Sequence, residues 1–266
     1  MITPEQINEV LQRLQMPVPG CEYVKRVASS PPSRRVRSAG TNIVCRFPSR
    51  KMGVVIQAES HHELALIYDL EHDPSVIAYW DQPESIKISY QAASGHLVSP
   101  TITPDFLVLR FDGLEWIEVK PDDALPDLAR EKPNRFVRGN DGKWHSPPAE
   151  ATARAYGIGF RIWTPAEVNS TRLRNIKLLA DYFGGDLNRV PAEAKSEIVE
   201  MVKSELGISL ADLRQRCQTA TADQIYFLIA QENIFVDLAV APLADQTQVL
   251  VFTCRGAADT HALLQR

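Results

Sequence analysis

Asp105, Glu118 and Lys120 combine residue types that can hydrolyse a phosphodiester, and the sequence around them predicts that they meet. Asp112-Gly113 is a two-residue hairpin signal between the apolar segments 105–111 and 114–120. A turn there sets Phe111 opposite Leu114 and Asp105 opposite Lys120. Glu118, two positions before Lys120, shares the same face. Leu107, Leu109 and Trp116 on one face and Phe106, Val108, Ile117 and Val119 on the other make this an interior strand pair, buried on both sides. Two carboxylates at the rim of such a sheet are costly unless neutralised. A divalent cation does so, and oxygen ligands suit Mg²⁺, with Mn²⁺ as a substitute. Lys120 would position the attacking water or neutralise charge developing on the phosphate. A buried Lys120–Asp105 salt bridge with Glu118 solvated satisfies the same geometry, and the spacing alone leaves both readings open.

Glu63 is a further candidate metal ligand, on a helix expected over 60–72 with Leu64, Ile67 and Leu70 along one face and Asp73-Pro74 ending it. Ser60-x-x-Glu63 is also a capping box, in which Glu63 would bond the Ser60 amide. His61 and His62 point about 100° apart on such a helix and do not share one metal. The elements that position these groups read as helix, three strands (85–90, 105–111, 114–120), a Pro- and Gly-rich loop, a helix over 148–156 and a strand over 158–163. That is an α/β core in the order α-β-β-β-α-β. A first helix starts at Thr3, with Pro4 at its first position and Gln6 closing a capping box, and ends before Pro17. A domain boundary is expected at Val168, giving domains 1–168 and 169–266.

The stretch from Tyr23 to Ala58 carries Lys25, Arg26, Arg34, Arg35, Arg37, Arg46, Arg50 and Lys51 and no acid, in a chain of 266 residues with net charge −4. Such a block tracks phosphate backbones, or it is a solvated arm. The C-terminal part reverses the sign, with six Lys or Arg against ten Asp or Glu from Val190 onward. Helices over 192–206, 209–217 and 222–231, then strands over 235–240 and 248–253 about a turn at Asp245, suggest a winged helix. Its third helix has no basic residue, which suits protein docking or plain packing better than groove reading.

Other function classes find no support. There is no Walker loop, H-E-x-x-H or G-x-S-x-G elbow. Cys21, Cys45, Cys217 and Cys254 lie far apart and suit neither a disulfide framework nor a zinc site. No apolar run approaches the roughly 20 residues of a membrane span, so a cytoplasmic protein with no membrane partner is expected.

Pro104-Asp105, twelve intervening residues and Glu118-Val119-Lys120 resemble the PD-(D/E)xK nuclease signature of the restriction-endonuclease-like fold. The run Pro48-Ser-Arg-Lys-Met-Gly53, Glu59-Ser-His-His-Glu-Leu64, Leu70-Glu-His-Asp-Pro-Ser-Val76, Asp81-Gln-Pro83, Thr103-Pro-Asp-Phe106 and Ile117-Glu-Val-Lys-Pro121 is similar to the TnsA family, the endonuclease subunits of heteromeric cut-and-paste transposases. The resemblance covers roughly residues 34 to 168. It implies a Mg²⁺-dependent endonuclease that cuts the 5′ ends of a transposon during excision. Its partners would be the transposon-end DNA, a transposase subunit of the TnsB type and an AAA+ ATPase regulator of the TnsC type. It also implies catalytic roles for Glu63, Asp105, Glu118 and Lys120, and metal ligation by Glu63, Asp105, Glu118 and the Val119 carbonyl. It assigns Trp80 and Gln82 to structural support. A stand-alone restriction or repair nuclease and a non-catalytic DNA-binding adaptor are the competing functions.

Overall fold

The computed structural model describes residues 2–32, 44–186 and 189–265. The chain divides into two compact units, Met1–Val168 and Asn169–Arg266.

The first unit opens with α1 (Pro4–Arg13) and α2 (Val18–Ser29). Thr3 and Gln6 close a reciprocal capping box on α1, and Ile7 and Leu11, one turn apart, face the core. A hairpin of β1 (Cys45–Ser49) and β2 (Val54–Ala58) follows, turning through Gly53 at φ +67°. Helix α3 (His61–His72) is capped by the Ser60 hydroxyl and buries Leu66, Ile67 and Leu70. Then come β3 (Val76–Asp81), the short strands β4 (Ile86–Lys87), β5 (Tyr90–Gln91), β6 (Leu97–Val98) and β7 (Thr101–Ile102), and the long β8 (Phe106–Arg110) and β9 (Leu114–Val119). Helix α4 (Leu125–Glu131), the pair β10 (Val137–Arg138) and β11 (Trp144–His145), α5 (Pro147–Ala155) and β12 (Gly159–Trp163) complete the unit.

The central sheet is mixed, ordered β12-β9-β8-β3, with β12 parallel to β9 and the other neighbours antiparallel. Phe106, Leu107, Val108, Leu109, Trp116 and Ile117 are fully buried, as a strand pair covered on both faces requires. The α-β-β-β-α-β order therefore stands, but its first strand is Val76–Asp81 and not 85–90. Residues 86–91 instead pair locally with 97–102, outside the central sheet. Val76–Asp81 follows directly on the Asp73-Pro74 helix stop, and its Ala78 and Tyr79 are as buried as any residue in the core.

The β8–β9 register also differs from the expectation. Leu109 pairs with Leu114 and Phe106 with Ile117, and the Arg110 amide bonds the Gly113 carbonyl. Phe111 and Asp112 thus form the turn, and Asp105 comes opposite Glu118 instead of Lys120. Because this slip moves the partner by two positions, every side chain keeps its expected face.

In the second unit α6 (Ser170–Leu178), α7 (Ala192–Ser204), α8 (Leu210–Arg216) and α9 (Ala222–Ala230) surround a core that includes Ile198, Leu213, Leu228 and Leu243. Strand β13 (Ile208–Ser209), between α7 and α8, pairs antiparallel with β14 (Leu250–Val251), and α10 (Arg255–Leu264) follows. The ribbon expected between 235–240 and 248–253 reduces, among the described residues, to one bridge from Phe235 to Phe252. The intervening chain is held differently: buried Asn175 donates to the Leu238 and Ala241 carbonyls and accepts from the Leu243 amide. Among the described residues no helix is long and apolar enough to cross a membrane.

Candidate active site

The ends of β8 and β9 build the site. Asp105 immediately precedes β8, with its backbone amide bonded to the Ile117 carbonyl and its carbonyl accepting from the Gln82 amide. Its Oδ2 accepts from the Val119 amide at 2.7 Å, and the Gln82 carboxamide lies 3.5 Å from Oδ1. Gln82 is buried and takes φ +43°, a left-handed conformation costly for a residue with a Cβ, so the turn after β3 carries strain next to Asp105. Burial pushes the Asp105 carboxyl up to about 7, against the lowering effect of Lys120 and of the Val119 N–H, with the charges of Glu63 and Glu118 adding to the rise.

Glu118 sits at the end of β9 and is buried. Its Oε1 meets the Lys120 ammonium at 2.9 Å and the Arg135 guanidinium at 3.3 Å. Its Oε2 is buried with no hydrogen-bond partner among the described residues. Lys120 is fixed by its amide bond to the Trp163 carbonyl at the end of β12, and its ammonium also reaches the Val119 carbonyl at 3.3 Å. The ion pair therefore runs from Lys120 to Glu118, where the competing sequence reading had set it on Asp105.

Glu63 lies in the first turn of α3 and is buried. It accepts from the Glu59 amide at 2.8 Å and the Ser60 hydroxyl at 3.1 Å, not from the Ser60 amide. Burial pushes its carboxyl above the usual range, opposed by those hydrogen bonds and by Lys120. Glu63, Asp105, Glu118 and Lys120 thus lie within electrostatic reach of one another.

The basic block separates into residues with different surroundings. Lys25 and Arg46 are exposed, and so is Arg50 in the β1–β2 turn. Arg26 on α2 pairs with Glu84 at 2.8 Å. Lys51 turns inward, donating to the carbonyls of Leu70, Asp73 and Val76 at 2.7–2.9 Å, and burial lowers its ammonium to about 8. Arg34, Arg35 and Arg37 lie outside the described residues.

Two groups escaped the sequence reading. Glu71 accepts from the Ser49 and Tyr79 hydroxyls and from the Arg50 and Lys51 amides, tying the hairpin to α3 and β3. Arg135 reaches Glu118 from the loop after α4, and no periodicity or motif marks it.

Residues 73–165 match the family model of the TnsA-like endonuclease N-terminal domain. The chain carries a TnsA-like endonuclease domain. The match takes in Asp105, Glu118, Lys120 and Arg135 and begins just after α3, which carries Glu63. No curated protein matches the chain.

The donor set of this TnsA-like domain suits a hard divalent cation: carboxylate oxygens and a backbone carbonyl, with one buried carboxylate oxygen left without a donor. Among the described residues no three His, Cys, Asp or Glu side chains are already grouped as a bound ion would hold them. The cations of Lys120 and Arg135 occupy Glu118 instead.

Proposed function

We propose that the protein is a metal-dependent DNA endonuclease acting as a transposase subunit, hydrolysing phosphodiesters at the 5′ ends of a transposon during excision. The observation that carries the reading is the juxtaposition of Asp105, Glu118 and Lys120 at the end of β8 and β9, with Glu118 Oε2 buried and unpartnered. Asp105, Glu118, Glu63 and the Val119 carbonyl would hold Mg²⁺ or Mn²⁺. The ion supplies positive charge at the phosphate and a water of lowered pKa. Asp105 is held for this task by the Val119 amide and by the strained Gln82 turn. Lys120, anchored through its backbone to β12, presents its ammonium to the attacking water or to the developing phosphorane charge. Lys25, Arg46 and Arg50 supply exposed cations for sequence-independent contact with the DNA backbone, and Arg26 would join them if it left Glu84.

We read the second unit as a winged-helix-like module that docks a partner. In support, β13 between the first two of helices α7 to α9 pairs with β14, and Phe235 bridges Phe252 beyond it. Helix α9 spends Ile225, Phe227, Leu228 and Ile229 on the core and offers no cation to DNA. The expected partners are a transposase subunit that processes the 3′ ends and an AAA+ ATPase regulator.

The test is nicking of a supercoiled plasmid bearing transposon ends in Mg²⁺, with wild type and Lys120→Ala, each with and without a transposase subunit of the TnsB type. Partner-dependent cutting of the 5′ strands that vanishes in the variant is the expected result. Cutting by the chain alone would mean an autonomous nuclease, and DNA binding without cutting in any arm would mean an adaptor.

A further inference from the structure

Arg135 is poorly employed for a cation with so little exposure to solvent. A guanidinium carries five N–H donors in a fork that fits two oxygens of a carboxylate or phosphate. Among the described residues Arg135 makes one hydrogen bond, 3.3 Å to Glu118 Oε1, while its Nε is buried with no acceptor. Its mounting is firm nonetheless. The Arg135 and Phe136 amides both bond the Lys132 carbonyl, the guanidinium lies 4.8 Å over the Phe136 ring, and Phe136 packs with Leu125 and Ile162. A side chain anchored by its backbone and by stacking, and under-satisfied only in hydrogen bonds, is suited to exchanging acceptors. Lys120 already neutralises the same Glu118 oxygen at shorter range, so Arg135 is not needed there for charge balance alone.

We propose that Arg135 is a further cation of the nuclease site: it rests on Glu118 in the metal-free protein, leaves that carboxylate when a divalent ion binds, and then takes a non-bridging oxygen of the DNA phosphate. The inference rests on the nuclease reading and adds to it an order of events, in which ion and phosphate are exchanged for one guanidinium contact. Two opposite consequences follow for removal of the charge. Metal binding without DNA tightens, because a like charge no longer has to leave Glu118. DNA binding weakens, because a charge-assisted hydrogen bond to phosphate is lost.

The full chain is titrated with Mn²⁺ by calorimetry, and with a short DNA duplex in Ca²⁺ by fluorescence anisotropy, as wild type, Arg135→Met and Arg135→Gln. Both variants are expected to bind Mn²⁺ about fivefold tighter or more and the duplex roughly tenfold more weakly. Arg135→Lys, which keeps the charge and loses the fork, should return Mn²⁺ affinity towards wild type while leaving the duplex weakened. A merely structural role would not move the two affinities in opposite directions. Should Arg135→Met fail to fold, Arg135→Gln reads the same quantities. Equal or weaker Mn²⁺ binding in the folded variants overturns the exchange with metal, and duplex affinity no different from wild type overturns the contact with phosphate. If wild type and Asp105→Asn both bind no Mn²⁺, the nuclease reading itself fails, a result distinct from either of these.

Discussion

At the scale of single residues, the site is a set of charges that the fold tolerates and does not need. Asp105 has its carboxyl pushed up to about 7, whereas an unfolded Asp titrates near 3.9. A folded-state value above the unfolded one contributes stability that is fully present below about pH 4 and is lost as pH rises through 7. Asp105→Asn removes that loss. It should raise stability at pH 8 by on the order of 2 kcal/mol, leave it nearly unchanged at pH 4, and abolish nicking. Denaturant unfolding at the two pH values, beside a plasmid assay, checks this, and a variant less stable at pH 8 would contradict it. Glu63 separates capping from chemistry by the same reasoning. Glu63→Gln keeps a carbonyl oxygen to accept from the Glu59 amide and turns its NH2 to donate to the Ser60 hydroxyl, so it should hold the melting temperature within about 2 °C yet lose nicking. Glu63→Ala should lose both activity and about 1 kcal/mol of stability. If the Gln variant nicked as wild type does, Glu63 would be a cap and nothing more.

At the scale of elements, the β8–β9 pair was legible because its signals are local: apolar residues on both faces, a turn between them and acids at the rim. Face assignment survives a two-position change of partner, so the convergence of Asp105, Glu118 and Lys120 was recoverable even though the turn fell on Phe111-Asp112. Val76–Asp81 carries little local strand signal because its pairing with β8 is long-range, whereas Ser85–Tyr90 shows the cleaner alternation and is spent on local pairing with 97–102. In the basic block, charged residues interrupt the apolar pattern of α2 and the β1–β2 hairpin, although Tyr23, Val24 and Val27 pack α2 at helical spacing. The inward turn of Lys51 has no local signal either, since identity says cation and only tertiary structure supplies three carbonyls. Lys51→Met should strand those carbonyls at the join of α3 and β3 and cost about 3 kcal/mol, a fall of roughly 6 to 10 °C in melting temperature. Duplex affinity should stay within about twofold. Arg46→Ala or Arg50→Ala should do the reverse, leaving stability alone and reducing the salt slope of DNA binding by about 1. A Lys51→Met protein that melts normally and loses DNA affinity would assign this lysine to the DNA instead.

At the scale of the whole chain, the division of labour follows from charge and core. The two units have separate hydrophobic cores, one organised on the central sheet and the other on α7 to α9. All of Glu63, Asp105, Glu118, Lys120 and Arg135 belong to the first, while ten acids against six basic residues mark the chain from Val190 onward. If, as proposed, cutting waits for a transposase partner, the chain needs a surface that senses it, and an acidic module without a cationic helix suits a protein partner better than DNA. A chain ending at Val168 should therefore melt cooperatively and bind Mn²⁺ as the full chain does, yet lose the stimulation of nicking that the transposase partner provides. Calorimetry and the plasmid assay, run on both lengths, read these separately. Docking through the acidic unit should also weaken between about 0.1 and 0.5 M salt, as screened charge pairs do. A shortened chain that nicks with its partner as fully as the intact one would move the partner surface onto the nuclease unit and leave the second unit without the role given to it.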